Sequence, residues 1–398
     1  MKVLVPTFRS FAQQAFRGIG YEAQDVFADV ADVDLVQLQP GAWFTVREHV
    51  VRFLAWHDFT GLARSVNPGL HTWRVAQEYD LFVLICQHRH LPEVLYLNAL
   101  TDWSRRCRKK VCILDELWEY EVPRLRPYLK TLKQFDLVLI ACEGSVRAVA
   151  QNIERPCHFL PPAVDTLRFT PLLRPSPRCI DIYSIGRRQA HLHDALCRLA
   201  EKRNLFYLFD RSGGGDSVTP DHRQHRSSLA DLARRSRCFM VAPALVDQSQ
   251  HTRGQIEVPT RYFEGAAAGA ILLGQRPACR SFERLFDWPD AVVEVRPDGS
   301  DCEEVVWSLL TDTSRCERIS HRNATEALLR HDWVYRWKQV LQLLGMPPTE
   351  AMLARERRLQ EIAHSNGRRS SSDSLGPAID EVESGSSPLV PRKRQLPD

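Results

Sequence analysis

The stretch EVPTRYFEGAAAGAILLG, Glu257 to Gly274, sets two carboxylates, a guanidinium and a phenol just ahead of an alanine-rich run. Glu264 falls in a predicted first helical turn, where the dipole favours an acid and where a carboxylate can accept hydrogen bonds from a vicinal diol such as that of a ribose. Taken alone, Glu264 serves equally as a plain helix-start acid. Arg261 stands three residues earlier and Pro259 fixes the backbone, so a guanidinium and a carboxylate are expected to converge on one crevice. Upstream, SIGRRQAHLHDAL places Gly186 at a strand end and Arg187 and Arg188 at the start of a helix. Arginines there can clamp an anion such as a diphosphate in bidentate fashion.

The first half of the chain offers a second set. YDLFVLICQHRHLPEVL ends an apolar run at His88 and His90, and KVCILDELWEYEVPRL ends another at Asp115 and Glu116. The two acids fit a ligand-facing strand end, and they fit equally the first turn of a helix. SGGGDS, Ser212 to Ser217, lacks the G-K-[ST] ending of a phosphate loop and reads as surface loop.

These residues need elements to hold them. Short Val-, Ile- and Leu-rich runs (KVLVPT, VDLVQLQP, DLFVLICQ, KVCILDEL, DLVLIACE, CHFLPPAV) alternate with helix-spaced segments, and the pattern restarts with CIDIYSIG, NLFYLFD, RCFMVAP, GAILLGQ and AVVEVRP. Such runs predict strands buried on both faces in βαβ units, hence parallel sheets. Pro161, Pro162, Pro171, Pro175 and Pro177 lie between the two series, as in an inter-domain hinge. Ligands of open α/β sheets bind beyond the carboxyl ends of the strands, where all the residues above fall. Gly18 and Gly20 are expected well inside a helix that follows the first strand. From about Arg357 the chain turns Ser-, Gly-, Pro- and charge-rich, which predicts a disordered tail.

Composition narrows the function. The 398 residues suffice for two cores. Net charge is +4, from 53 basic and 49 acidic residues, too balanced for a dedicated nucleic-acid binder. The 11 cysteines are scattered singly, without the spacing of a zinc site or a disulfide framework. Several fall in apolar runs, as free thiols do in a reducing compartment. With neither a signal peptide nor a membrane-length apolar run, the expectation is a cytoplasmic protein, with a membrane surface as a candidate peripheral contact.

Five segments in order, SIGRR, SSLADLARRSRCFMVAP, EVPTRYFEGAAAGAILLGQRP, VEVRPDGSDCEEVVWSLL and HDWVYRWKQVLQLLG, resemble the second domain of retaining GT-B glycosyltransferases of the group-1 kind. The family signature E-x-x-A-x-G is matched by Glu264, Ala267 and Gly269. Its crossover turn V-D-x-x-x-F-x-P is matched by Val164, Asp165, Phe169 and Pro171. An R-x-F-E core, Arg261, Phe263 and Glu264, is similar to the divergent branch grouped with spore-maturation glycosyltransferases.

The resemblance implies an α/β GT-B fold: an acceptor domain over residues 1–165, a donor domain over 166–345, and a helical end with a disordered tail over 346–398. It implies a nucleotide-sugar donor bound by Gly186, Arg187, Arg188, Arg261, Glu264 and Gly269, with Glu264 on the ribose and the arginines on the diphosphate. His88 and Glu257 would stand near the donor sugar as catalytic residues, and Asp115 and Glu116 would position acceptor hydroxyls. The acceptor itself, a glycan, lipid or protein, is open. No metal and no cofactor is expected, because the arginines supply the positive charge. The chain departs from the family in two places. Six residues, VPTRYF, separate Glu257 from Glu264 where the family has seven, and the lysine usual after the glycine-arginine turn is replaced by Gln189, Ala190 and His191. A nucleotide-sugar epimerase and an inert sugar- or anion-binding protein are the competing readings of the same scaffold.

Overall fold

The computed structural model describes residues 1–88, 90–210 and 217–372, with backbone alone for Ser249 and 366–372. SGGGDS, apart from Ser217, and the end of the expected tail lie outside the described residues.

The first series of apolar runs forms a six-stranded parallel sheet of β1 (Lys2–Thr7), β2 (Asp32–Gln37), β3 (Tyr79–Cys86), β4 (Cys107–Leu114), β5 (Leu137–Ile140) and β6 (Cys157–Phe159). Its order is β2-β1-β3-β4-β5-β6. The side-chain period of two is visible in β3. Phe82, Leu84 and Cys86 join the core on one face, while Leu81, Val83 and Ile85 join the core on the other. All the cysteines are free, and Cys86, Cys112, Cys142 and Cys238 are buried as expected. Helix α1 (Gly18–Val30) follows β1, and α2 (Phe44–Trp56) follows β2.

The second series forms a five-stranded parallel sheet of β7 (Ile180–Ser184), β8 (Tyr207–Phe209), β9 (Ser236–Val241), β10 (Ile271–Gly274) and β11 (Val293–Glu294), in the order β8-β7-β9-β10-β11. Helix α3 (Ala190–Arg203) leaves β7, α4 (His222–Arg234) leads into β9, and α5 (Thr260–Ala267) carries the acidic entrance and leads into β10.

The chain then returns. Helix α6 (Trp333–Leu343) packs on the first sheet's α1, with the Trp337 ring stacked on Phe27 at 4.0 Å and 9° and its indole N–H donating to the carbonyl of Ala23 at 3.1 Å. Helix α7 (Glu350–Ser372) adds Met352, Leu359 and Ala363 to the same core. Residues 357–365, where composition places the start of the tail, are therefore helix with an apolar stripe at a spacing of four. A second correction concerns the segment after β1. Residues 8–14 are irregular, a 3-10 turn spans Ala15–Arg17, and α1 begins at Gly18 rather than enclosing it.

Candidate active site

Between the carboxyl ends of the two sheets lies a cavity of about 330 Å³, within the range of small-molecule sites. The first-domain wall comes from residues that follow β1, β3, β4 and β5, including Phe16, Gln87, Asp115, Glu116, Ala141 and Cys142. The second-domain wall comes from residues that follow β7 and β9 and from the entrance to α5, including Gly186, Arg187, Arg188, Pro243, Glu257 and Arg261. Parallel strands direct all their carboxyl ends to one side, which is why residues far apart in sequence meet here.

The cationic wall is built in two layers. Gly186 adopts a φ of +84°, the left-handed turn that swings the chain from β7 toward α3. A Cβ at Gly186 would lie 3.8 Å from Arg261 Nη2, so the loops after β7 and before α5 do converge. Asp210 holds this turn. Its Oδ1 accepts from the Gly186 amide at 3.1 Å and from Arg188 Nη1 at 2.5 Å. Arg187 reaches the other way, to Asp247 at 3.2 Å, and is about one-third exposed. Helix α3 has no side-chain cap, which leaves its first N–H groups available at the cavity.

Behind these groups Glu264 is buried, with both oxygens engaged: Oε1 accepts from Arg226 and Oε2 from Arg261. Burial alone would raise its carboxyl, but Arg261 and Arg226 outweigh that and hold it at about 2. Glu264 does not line the cavity. Each of its oxygens accepts from one guanidinium, and it reaches the cavity through Arg261, which does line it. Gly269 too stands outside the lining. It has a φ of +61° just past the end of α5, where an added Cβ would crowd Arg178, Pro171 and the Ser320 carbonyl, outside the cavity lining.

Glu257 lines the cavity but is committed to the domain boundary. Its Oε2 accepts from the Glu143 amide at 3.0 Å and its Oε1 from the Gly144 amide at 2.9 Å, at the start of the turn that opens the helix after β5. Gln255 donates to the same Oε1 at 2.7 Å. Through these bonds Glu257, on the second domain, joins the two domains across the cleft. Burial nevertheless raises its pKa, against those hydrogen bonds.

On the acidic wall, Asp115 is the perturbed group. Burial, then the neighbouring Glu116 and Glu93 charges, push its pKa up to about 7, with Arg17 opposing. Glu116 accepts from the Trp118 indole at 2.9 Å. Both acids of the sequence expectation are thus in the cavity. His88 is not among the lining residues; its ring centroid lies 6.3 Å from that of Phe16, which is. Gln87, immediately after the strand, takes the lining position.

Several groups escape a sequence reading. The loop after β3 is fixed by a buried ion pair, Arg17 Nη1 to Glu93 Oε1 at 2.5 Å, and the same oxygen accepts from the amides of Gln87 at 3.3 Å and His88 at 3.2 Å. Arg226 pairs with Glu264 and with Glu22 of α1, at 2.9 Å from Oε2, so one buried guanidinium spans both domains. Its only prior signal is an arginine on the inward face of an amphipathic helix.

Residues 189–342 match the sequence model of the family described as glycosyl transferase-like. No curated protein matches the chain at a significant level. Among solved structures, an alpha-glucosyltransferase (AGT) in complex with UDP aligns over 87% of this chain and 100% of its own, at 9% identity and a TM-score of 0.52. The N-terminal domain of Candida albicans trehalose-6-phosphate phosphatase aligns over 86% and 96%, at 10% identity and a TM-score of 0.52. An alpha-glucosyltransferase in complex with UDP-glucose and DNA containing an abasic site aligns over 87% and 99%, at 10% identity and 0.51. Identities this low speak for the fold. Two parallel-sheet domains facing across a cleft make this chain a GT-B fold, in which residues 189–342 are similar to a glycosyl transferase-like family.

Proposed function

We propose that the protein transfers a sugar from a nucleotide-sugar donor to an acceptor hydroxyl. The observation that carries this reading is a single cavity with oppositely charged walls, Arg187, Arg188 and Arg261 facing Asp115 and Glu116. The donor diphosphate lies on the arginine wall and the uncapped start of α3. The acceptor hydroxyl lies on the acidic wall. As the hydroxyl oxygen bonds to the anomeric carbon, the bond from that carbon to the β-phosphate oxygen breaks and the electron pair leaves with the nucleoside diphosphate. Preorganised guanidiniums stabilise that growing charge, a role that makes a metal unnecessary in this proposal. Asp115, titrating near neutrality, orients the hydroxyl and is suited to take its proton. Retention of anomeric configuration belongs to the proposal on the strength of the E-x-x-A-x-G resemblance. Residues 1–165 serve as the acceptor domain and 166–345 as the donor domain in this proposal, with α6 and α7 returning to complete the first core.

A screen of nucleotide sugars by thermal shift, coupled to release of nucleoside diphosphate, tests this. At 100 times its Kd a true donor adds about 2.7 kcal/mol of stability. Absence of both stabilisation and release across the common uridine, guanosine and adenosine donors overturns the reading. A second reading, an inert sugar- or anion-binding protein, is favoured by the commitment of Glu257 and Glu264 to structural contacts. Stabilisation without release in any acceptor mixture identifies it.

A further inference from the structure

Helix α2 of the first domain is apolar on both sides. Val51 and Ala55 face the core, and Phe44 joins the Phe11 and Tyr96 rings at 4.9 and 5.9 Å. Trp43, Val46, Val50, Phe53 and Trp56 point outward, and Phe59 continues the patch into the next turn, each more than half exposed. The spacing of three and four keeps Val46, Val50 and Phe53 on one stripe, so this is a built face rather than scattered exposure.

We infer that this face docks the protein, α2 parallel to the plane, on a lipid bilayer with anionic headgroups. Three observations select lipid. The fringe of the patch is cationic: Arg47 and Arg64 are exposed and have no acidic partner among the described residues. The nearby acids are already neutralised, Glu48 by Arg52 at 3.3 Å and Asp58 by Lys130 at 2.6 Å. Tryptophans stand at both ends of the helix, the side chain favoured at the depth where headgroups meet acyl chains. An apolar stripe with flanking arginines complements an anionic interface through both area and charge. No helix of the described residues is long and apolar enough to cross a membrane, so the contact proposed is peripheral. The proposal is independent of the cavity's reading.

The test is flotation of the full chain with vesicles of phosphatidylcholine containing phosphatidylglycerol, against vesicles of phosphatidylcholine alone. The expected result is partitioning at least tenfold stronger onto the anionic vesicles, and a tenfold or greater loss in Phe53→Ser/Trp56→Ser. These side chains are exposed, so the variant should keep the wild-type melting temperature. As a measurement needing no variant, brominated lipids are expected to quench tryptophan emission on binding. Absence of binding to anionic vesicles at low salt, or undiminished binding of a folded variant, overturns the proposal. So does a stable wild-type dimer that Phe53→Ser/Trp56→Ser dissociates, which assigns the face to a second copy.

Discussion

Glu22, on the first helix of the chain, and Glu264, at the entrance of the second domain's cavity helix, hold opposite sides of one buried guanidinium, that of Arg226. The domains are therefore joined by charge at the cavity wall, where Arg226 is a lining residue, and again by Glu257 through the amides of Glu143 and Gly144. Cavity geometry and domain attachment share residues, and variants at the cavity will read out both.

Glu264→Gln makes the point. The variant leaves Arg226 buried with Glu22 as its one full countercharge and releases Arg261 from an anionic anchor. Breaking a buried pair costs ~3–5 kcal/mol, and the remaining Glu22 contact lowers the expectation to ~2–3 kcal/mol. Denaturant melts should show this loss together with weaker nucleotide-sugar binding. Because the folded carboxyl is held at about 2, below its ordinary 4.5, its stabilisation is complete above pH 4.5 and is lost as pH falls toward 2. Glu264→Gln should flatten that part of the wild-type acid profile. A variant of unchanged stability and unchanged affinity contradicts the geometry.

Asp115 has the opposite sign. Its folded pKa, about 7, lies above the ordinary 3.8, so the folded chain holds a proton that the unfolded chain releases. Stability on this account falls as pH rises from about 4 to 7. Asp115→Asn should stabilise the protein at pH 8 by ~1–2 kcal/mol, the shift being discounted for the group's access to the cavity, and the gain should vanish near pH 4. Turnover should fall at the same time, the exchange of activity for stability that a strained site entails. Equal stability of the two proteins at pH 8 would show that Asp115 is not held in a proton-retaining environment.

How far the sequence carried can be seen residue by residue. The strands were legible because burial on both faces leaves an unbroken apolar run, and the site wall followed because parallel strands end on one side. Asp115, Glu116, Gly186, Arg187, Arg188 and Arg261 could be placed in the cavity from that rule alone. Partners could not. A guanidinium reads the same whether it faces a ligand or Glu264, and Arg226 looks like any polar residue of α4. The destination of α6 was hidden too, because an apolar stripe does not say which sheet it covers. Gly20 reads as a helix-interior glycine; the structure adds that a Cβ there would meet the Gln87 side chain, so the glycine leaves room for that cavity-lining amide beside α1.

The return of the chain to the first domain gives a further expectation. Trp337→Ala removes a ring stacked on Phe27 and an indole hydrogen bond, and should cost ~3–5 kcal/mol. Leu359→Ala, on α7, should cost ~2–5 kcal/mol. Ending the chain after Ser365 keeps Met352, Leu359 and Ala363 and should leave the melting temperature and donor binding unaltered, whereas ending it after Leu344 should lower both. Comparison of the two truncations by calorimetry decides whether α7 belongs to the first core.

Three of the four arginines that line the cavity, Arg187, Arg188 and Arg261, differ in how they are held, which separates a diphosphate clamp from ordinary surface charge. Arg261 is tied to the buried Glu264 and converges on Gly186, and Arg188 is tied to Asp210 beneath the same turn. Arg187 is paired with Asp247 toward solvent. Lysine keeps the charge but not the planar fork, so it cannot hold an anchoring carboxylate and an incoming phosphate at once. Arg261→Lys and Arg188→Lys should therefore lower kcat about tenfold or more, a loss of ~1.4 kcal/mol or more in transition-state stabilisation. Arg187→Lys should change it least of the three, because Asp247 draws that side chain away from the turn that Arg188 and Arg261 share. All three should melt near wild type, with Arg261→Lys the most affected because Glu264 loses part of its compensation. If all three retain wild-type turnover, the diphosphate rests on the uncapped N–H groups at the start of α3, and the arginines serve the fold rather than the reaction.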